Sequence, residues 1–338
     1  MTTLVTGATG FVGSAIVRRL LAHGEEVRVL VRERSDLRNL DSLRVEKVCG
    51  DLRNSQSMEL ACRGIKNLYH AAADYRLWAR DSQEIFNSNI EGTDNVLRAA
   101  LDAGVTKIVH TSSVCTIKLR SDGIPSAEND IATADDMLGA YKQSKFHAEV
   151  RCQQLIALGA PIVIVNPSTP IGPRDVKPTP TGRIIVEAMR GAMPAYVNTG
   201  LNFVHVDDVA EGHLLAMEKG RIGERYILGG DDLPLKSLLY MIAEIAGRTP
   251  PKIELPRRAI YPLAWAAESA SLLTGKEPFV TVNGLRLAKN WMYFSSEKAE
   301  RELGYRFRPV REAVQDAIEW FSSASPPGVY LSHVAAAS

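Results

Sequence analysis

Three polar residues, Ser113, Tyr141 and Lys145, have the types and spacing needed for proton transfer at a carbonyl or alcohol oxygen. Tyr141 and Lys145 lie four positions apart, so both side chains share one face of a predicted helix. A phenol has an ordinary pKa of about 10, and a neighbouring ammonium is expected to lower it. Tyr141 could then donate a proton to a carbonyl or accept one from an alcohol, with Ser113 bonded to the same oxygen. Because this spacing also occurs on ordinary helix faces, the surrounding elements must decide its meaning.

The elements that would position these residues begin with a glycine-rich loop, TGATGFVG, at residues 6–13. The loop follows a predicted strand and opens a predicted helix that ends near Gly24. A helix N-terminus offers unpaired N–H groups and a positive dipole end to a pyrophosphate. The sequence therefore predicts a nicotinamide dinucleotide on a Rossmann unit, with Tyr141 and Lys145 also at the nicotinamide ribose. The predicted loop contacts are Gly7, Thr9, Gly10, Phe11, Val12 and Gly13.

The residue after the second predicted strand indicates which dinucleotide binds. An acidic side chain there would accept the adenosine ribose hydroxyls and favour NAD. This chain has Arg32, whose guanidinium suits the 2′-phosphate of NADP. A solvated arginine on an exposed loop is the alternative, and Glu33 leaves NAD open. NADP(H) is favoured, with Asp51 and Leu52, after the third strand, expected beside the adenine.

Short β-branched runs alternate with helical patterns through the first half of the chain, which predicts an α/β fold. The expected core is a doubly wound parallel sheet with helices on both faces. One of those helices is predicted over 84–103 and another over 139–158. Residues 1–166 and 203–230 are assigned to the Rossmann domain.

Five prolines between Pro167 and Pro180 break this rhythm and predict a loop. A smaller, mainly helical substrate-binding lobe is predicted from residues 167–202 and 231–325, and residues 326–338 form a predicted flexible tail. Residues 203–206 and 225–228 are predicted strands, and the remainder of the chain is predicted to be helical.

Composition limits the classes of partner. The formal net charge of +1 gives no reason to expect nucleic acid or an acidic membrane. Four widely spaced cysteines fit reduced thiols in a cytosol and argue against a zinc site or a disulfide framework.

No signal peptide is predicted. The apolar stretch 259–273, interrupted by Pro262 and Glu268, is too short to span a bilayer. It predicts an amphipathic helix over the substrate lobe, with a membrane-surface helix as the alternative. The expected location is cytoplasmic, with peripheral membrane attachment left open.

These residues resemble the extended type of short-chain dehydrogenase/reductase over nearly the whole chain, from Thr2 to Phe321. The matching segments are the glycine loop, the run His70-Ala71-Ala72-Ala73, and Asn89 in SNIEGT. The resemblance implies that Ser113, Tyr141 and Lys145 are catalytic and that Ser113 is preferred over Ser112. It also implies that His70, Ala71 and Ala72 pass the cofactor and that Asn89 buttresses the site. Pro167, Ser168 and Thr169 would flank the nicotinamide.

Two branches of this family are similar to the chain. Residues 88–103 and 109–113, with Trp78, look like dihydroflavonol reductases and their bacterial relatives, which reduce carbonyls with NADPH. Residues 166–182 and 71–80 look like hopanoid-associated sugar epimerases. The implied substrate is a small, sugar-like, polyol or lipid-linked molecule. The candidate substrate contacts are Tyr75, Trp78, Ser113 and Arg174.

The sequence departs from nucleotide-sugar epimerases at Arg32, at residues 116–118, and at Leu201, where an arginine usually meets the sugar diphosphate. Arg174 and Arg183 could substitute for that arginine. A sugar epimerase with retained cofactor is one alternative function. A non-catalytic NADP(H) sensor or a scaffold subunit is the alternative from another class. The resemblance also implies a homodimer through the helices at 84–103 and 139–158.

His205, Asp207 and Asp208 are close enough in sequence to suggest a metal or acid–base cluster. In the family that they resemble, this segment joins a strand to a helix. Asp208 is therefore predicted to cap a helix that begins at Val209. No metal site is predicted.

Overall fold

The computed structural model of this chain describes residues 2–76, 81–275, 278 and 280–323. Trp78 and the predicted tail at 326–338 lie outside the described residues. The strands are β1 (Thr3–Thr6), β2 (Val27–Val31), β3 (Glu46–Cys49), β4 (Asn67–His70), β5 (Lys107–Thr111), β6 (Ile162–Pro167), β7 (Thr169–Ile171), β8 (Ala195–Val197), β9 (Gly200–His205), β10 (Arg225–Leu228), β11 (Asp231–Pro234) and β12 (Ile253–Leu255). The helices are α1 (Phe11–Ala22), α2 (Ser55–Cys62), α3 (Gln83–Phe86), α4 (Gly92–Asp102), α5 (Ala140–Ala157), α6 (Pro180–Met189), α7 (Val206–Lys219), α8 (Leu235–Ile245), α9 (Arg257–Thr274), α10 (Val282–Leu287), α11 (Glu297–Leu303) and α12 (Val310–Ser323).

A seven-stranded parallel sheet carries the first half of the chain, in the order β10-β6-β5-β4-β1-β2-β3. The predicted doubly wound Rossmann fold is confirmed. The strand order reverses between β1 and β4, and β5 continues outward from β4. Ligands of such sheets bind beyond the carboxyl ends of the strands at this reversal.

Helices cover both faces of the sheet. Alternate strand residues point to opposite faces. Helices α1 and α7 pack on one face, and α2, α4 and α5 pack on the other. Because both faces are buried, the strands read as nearly continuous apolar runs. The strand residues facing α1 and α7 are Val5, Val29, Val109 and Val163, and those facing the other helices are Leu4, Leu68, Ile108 and Ile162.

A second core lies among α6, α8 and α12 and the sheet formed by β7, β9 and β11. The expectation of a loop through the prolines was wrong in two places, because β7 contains Pro170 and α6 begins at Pro180. Proline is tolerated at the first helical position, and the Thr179 side chain caps this helix by accepting from the Gly182 N–H. The later segment was expected to be helical, yet it also contributes β11 and β12. The proposed domain boundaries stay a prediction.

One predicted helix is divided in the structure, and another is continuous. The helix expected over 84–103 is divided into α3, a π-helical turn at Asn87–Glu91, and α4. The helix predicted over 259–273 lies within α9, which continues through Pro262. Within the described parts of the chain, the structure contains no helix long and apolar enough to cross a membrane.

Candidate active site

The glycine loop turns tightly between β1 and α1. Gly7 has φ 73°, and a Cβ added there would lie 2.6 Å from the Ala72 nitrogen. A Cβ on Gly13 would overlap the Gly7 carbonyl. These positions therefore require glycine, because the chain after β4 and the first turn of α1 both pass directly against the loop. The predicted neighbours Ala71 and Ala72 are brought to the loop as expected.

The N-terminus of α1 suits an anion. Gly10 occupies the N-cap position without a side-chain cap, and the first turn contains no acidic residue. The N–H groups of this turn and the dipole of the helix therefore face a space shaped by glycine. Asn39 fixes the loop from below by donating to the Thr9 carbonyl at 3.1 Å. The residues present fit the pyrophosphate of a dinucleotide.

The predicted adenosine contacts gather at the carboxyl ends of the paired strands β2 and β3. Arg32 is exposed and forms a tight turn in which the Ser35 N–H donates to its carbonyl at 2.9 Å. The Asp51 carboxylate accepts two bonds from the Arg53 guanidinium, which lower its pKa, and the charge of Arg32 adds to this effect. Leu52 lies beside them, where its carbonyl accepts from Asn95 at 2.9 Å.

The structure brings the three predicted catalytic residues together. Lys145 is buried, and its Nζ donates to the Thr111 carbonyl at 2.8 Å, at the end of β5. Ser113 follows two residues later in an extended conformation, near enough to Tyr141 that its hydroxyl acts to lower the pKa of the phenol. Gly139, with φ 85°, begins the turn that starts α5 just before Tyr141. The loop after β5 and the first turns of α5 thus form one polar cluster.

The expected direction of the Tyr141 pKa shift was wrong. Burial raises the pKa of Tyr141 above its ordinary value, although the bond from Ser113 opposes this effect. Burial also lowers the pKa of the Lys145 ammonium. Desolvation is the largest cause of the raised pKa of Tyr141, and the Lys145 ammonium is bonded to the Thr111 carbonyl. The phenol is therefore held in its protonated form at neutral pH, as a donor to a carbonyl must be.

Behind this cluster lies a buried carboxylate that the sequence reasoning missed. Glu149 accepts from the hydroxyls of Ser112 and Thr116 and from the Asn166 amide. The same Asn166 amide lies 3.0 Å from the Ser113 carbonyl, to which it donates. Arg225 of β10 pairs with the second Glu149 oxygen at 3.1 Å. The signal was the position of Glu149, one turn beyond Lys145 on the same buried face of α5.

Asn89, in the π-helical turn, joins the segment after β4 to α5. Its amide donates to the Ser144 hydroxyl and to the Asp74 carbonyl, both at 2.9 Å, and its oxygen accepts from the Asp74 N–H at 2.7 Å. The buttressing role implied for Asn89 matches these contacts. They also explain the break in the predicted long helix, because the π-helical turn holds this side chain toward α5.

The predicted cofactor residue His70 has a buried imidazole. Its two ring nitrogens bond the hydroxyls of Thr6 and Thr93, at 2.7 and 3.0 Å. Burial, with a smaller effect from Lys145, lowers the pKa of His70 to about 3. This side chain therefore anchors β4 to α4, while the backbone that follows it approaches the glycine loop.

The predicted nicotinamide-flanking residues continue from β6 into β7. Pro167 ends β6, and the Ser168 N–H donates to the Leu228 carbonyl at 3.1 Å. The Ser168 hydroxyl is buried and has no hydrogen-bond partner among the described residues. Thr169 begins β7. The structure therefore places this run beyond the carboxyl end of a central strand.

The candidate substrate residues are more dispersed. The Tyr75 hydroxyl lies 3.5 Å from the Lys177 carbonyl, so the segment after β4 meets the loop after β7. Arg174 pairs with Asp207 of α7, and its carbonyl accepts from Asn39 at 3.2 Å. Arg174 thus lies beside the glycine loop, and its role as a substrate contact stays a prediction. The other two candidates are Ser113, which belongs to the catalytic cluster described above, and Trp78, which lies outside the described residues.

The segment His205 to Asp208 has a structural role, although the predicted cap was assigned to the wrong residue. Helix α7 begins at Val206, and His205 caps it by accepting from the Asp207 N–H at 2.9 Å. Asp208 instead holds Arg308, whose guanidinium donates at 2.7 and 2.9 Å. No group of three or more potential metal ligands occurs in the part of the chain that the structure describes.

The fold and this site define an extended short-chain dehydrogenase/reductase. The chain belongs to the NAD dependent epimerase/dehydratase family, whose model matches residues 3–229. It is 43% identical over 323 residues, 94% of each chain, to a Synechocystis protein named "Putative dihydroflavonol 4-reductase". It is 35% identical to sterol demethylase protein B of Methylococcus capsulatus, covering 95% of this chain and 98% of the relative. The crystal structure of gox2253 superposes with a TM-score of 0.87 at 50% identity, covering 96% of this chain and 98% of that one.

The resemblance inferred from the motifs is therefore confirmed. The protein is an enzyme, an oxidoreductase or epimerase of a family that uses a nicotinamide cofactor.

Proposed function

We propose that this enzyme is an NADPH-dependent reductase of a carbonyl group on an apolar, lipid-linked substrate. The observation that carries the proposal is the grouping of the half-buried Tyr141, the buried Lys145 one turn further along α5, and Ser113 just after β5, where desolvation raises the pKa of the phenol. A protonated phenol is ready to donate to a carbonyl oxygen. Oxidation of an alcohol would instead need the phenolate, which burial disfavours.

Each of the three side chains has a separate role in the chemistry at the reacting oxygen. When bound, the nicotinamide cofactor supplies the hydride that reduces the carbonyl carbon. Tyr141 donates its hydroxyl proton to the carbonyl oxygen, and the Ser113 hydroxyl stabilises the negative charge that develops there. The phenolate that remains is stabilised by the Lys145 ammonium, which the Thr111 carbonyl holds in place. The Glu149 network positions Ser113 by fixing the residues on both sides of it.

Two features favour an apolar substrate over a sugar diphosphate. Leu201, where an arginine would meet a diphosphate, packs against the core of the substrate lobe. Arg174, a possible substitute, already pairs with Asp207. The name of the sterol-modifying relative is consistent with a polycyclic lipid as substrate. A place in bacterial hopanoid synthesis fits this chemistry, as do a cytoplasmic location and a homodimer that packs through α4 and α5.

The first experiment measures cofactor preference. Arg32 is exposed at the end of β2, where its guanidinium can pair with a 2′-phosphate. NADPH is expected to bind at least several-fold more tightly than NADH, and Arg32→Ala should remove most of that preference. Fluorescence titration of both reduced cofactors gives the two dissociation constants, with Arg34→Ala as a control at a neighbouring exposed position. Equal affinities in the wild-type enzyme would contradict the proposal.

The second experiment separates reduction from the alternatives. Purified enzyme that exchanges cofactor readily and consumes NADPH with carbonyl substrates would support a reductase. Cofactor retained through purification, with no net consumption, would support the epimerase that the family match also allows. Cofactor binding without any turnover would indicate a sensor or a scaffold subunit.

A further inference from the structure

Helix α9 packs against the lobe along one face only. Ala264, Ala267 and Ser271 form its buried stripe, and Ala264 contacts Val282 and Leu285 of α10. The only acidic residue in the α9 sequence is Glu268. Its carboxylate accepts from the Val282 N–H at 2.8 Å, so this charge is directed toward α10.

The opposite face of α9 is exposed and apolar. Leu263 is 52% exposed and Trp265 is 59% exposed. Small or apolar side chains continue this outer stripe at exposed positions with helical spacing: Ala259, Pro262, Ala266 and Ala270. The preceding strand β12 adds Ile253 and Leu255, which share one side of the strand and are 56% and 39% exposed. Large apolar side chains exposed along one helix face, as Leu263 and Trp265 are, are typical of an interaction site.

Positive charge borders this outer face. Arg258, in the first turn of α9, and Lys252, just before β12, are both exposed. Glu254 points to the other side of β12 from Ile253 and Leu255, because alternate strand residues face opposite ways. An apolar stripe with a tryptophan at its margin and basic residues beside it matches a helix that lies in the boundary of an anionic bilayer. The net charge of +1 for the whole chain conceals this local arrangement.

The helix pair α9–α10 also borders the active site. A Cβ built on Gly139 would lie 3.2 Å from the side-chain amide nitrogen of Asn283 in α10. Gly139 begins α5 two residues before Tyr141. The packing of α9 on α10 therefore connects the exposed apolar face to the helix that carries the proton donor.

We propose that the outer face of α9 docks on an anionic phospholipid surface. Leu263 and Trp265 would enter the headgroup boundary, while Arg258 and Lys252 would meet lipid phosphates. Docking in this orientation would place the α9–α10 pair between the bilayer and the start of α5. The docking depends only on the surface of α9, whereas its use in catalysis rests on the proposed lipid-linked substrate.

Vesicle binding by the full-length protein tests this proposal. The wild-type protein should cosediment with vesicles that mix phosphatidylglycerol and phosphatidylcholine, and it should bind less to pure phosphatidylcholine or at high salt. Leu263→Glu should reduce the partition coefficient by on the order of tenfold, as loss of one buried leucine implies. Leu158→Glu is the matched control, because Leu158 is 83% exposed at the end of α5, and it should bind like wild type.

Activity and assembly state distinguish the remaining outcomes. Leu263→Glu should retain wild-type cofactor binding and turnover of a water-soluble carbonyl substrate, so failure of the proposed reductase would be detected separately. Equal vesicle binding by the two glutamate variants would overturn the docking proposal. A change of sedimentation coefficient in Leu263→Glu, with no vesicle binding by the wild-type protein, would overturn it as well and would assign the face to contact between copies of the chain.

Discussion

At the scale of single residues, Tyr141 illustrates how burial decides the direction in which a pKa shifts. The spacing of Tyr141 and Lys145 predicts that an ammonium lowers the pKa of the phenol, but desolvation raises it. A sequence gives the neighbours of a titratable group along one helix face, whereas the degree of desolvation depends on all elements packed around it. For this reason the Tyr141–Lys145 pair could be predicted from the sequence, whereas the direction of the Tyr141 pKa shift could not.

Tyr141→Phe removes the proposed proton donor without changing the shape of the ring. Turnover should fall by roughly 10²–10⁴-fold, the usual contribution of a positioned acid, while the cofactor dissociation constant stays unchanged. Because the raised pKa keeps the phenol protonated, the wild-type reduction rate should not fall between pH 6 and pH 9. Steady-state rates and cofactor titrations measure both effects, with the exposed Tyr240→Phe as control. A variant that keeps most of its rate would contradict the acid–base assignment.

Glu149→Gln tests the buried carboxylate that organises the loop around Ser113. Glutamine retains an acceptor oxygen but leaves Arg225 without its buried anionic partner, which should cost about 3 kcal/mol of unfolding free energy. Since Ser112, Thr116 and Asn166 lose a charged acceptor, turnover should also fall, with little change in cofactor affinity. Urea denaturation and steady-state kinetics measure these losses. The exposed Glu59→Gln is the control, and equal behaviour of the two variants would show that Glu149 does not position Ser113.

At the scale of elements, the alternation of buried strands and helices was the most predictable part of the molecule. The bounds of α1, Phe11–Ala22, match the helix predicted to open at the glycine loop and to end near Gly24, because its apolar periodicity lies between these points. Elements shaped by distant contacts were less predictable. Asn89 reaches Ser144 across 55 positions, and this contact accompanies the break in the helix expected at 84–103. Strand β7, with three residues, pairs with β9 despite its proline.

The loop that enters α6 provides a prediction at this scale. Asp175 is buried and accepts two bonds from Thr179, yet burial raises its pKa to about 6 from an ordinary 3.8. The folded state therefore holds this proton more tightly than the unfolded state does. As pH rises from 4 to 7, the carboxyl ionises first in the unfolded chain, so the contribution of Asp175 to the free energy of unfolding falls by up to about 3 kcal/mol.

Asp175→Asn removes this titration while retaining an acceptor oxygen for Thr179. The variant should be more stable than wild type at pH 7–8, and the difference should disappear near pH 4. Thermal melts across this range measure the effect, with the exposed Asp135→Asn as control. A constant difference between wild type and Asp175→Asn at every pH would show that the loss of charge is not responsible.

At the scale of the whole molecule, three of the buried histidines, His70, His110 and His213, make the fold sensitive to acid. Burial lowers the pKa of His70 to about 3 and that of His213 to about 4, and it lowers the pKa of His110 well below its ordinary value. The rings of His70 and His110 are neighbours, with centroids 5.3 Å apart, and His213 lies in α7. His70 joins β4 to α4, and His213 joins α7 to β5 through Thr111 at 2.9 Å. Protonation of any of them therefore opposes the packing of a helix on the central sheet.

The sign of the pH dependence follows from proton binding in the two states. In the unfolded chain these histidines bind protons near pH 6.5, while in the folded chain they remain neutral, so stability falls as pH decreases below 7. Three such groups would lower the free energy of unfolding by at most about 4 kcal/mol for each unit by which the pH decreases. The carboxyl of Asp175 has the opposite effect below pH 6. The free energy of unfolding, measured in urea at pH 7.5, 6.5 and 5.5, should therefore fall more steeply between pH 6.5 and 5.5 than between pH 7.5 and 6.5. His213→Gln should reduce this slope by about one proton, whereas His147→Gln, at an exposed position, should leave it unchanged. If His213→Gln retains the full wild-type slope, the acid sensitivity arises outside this buried set.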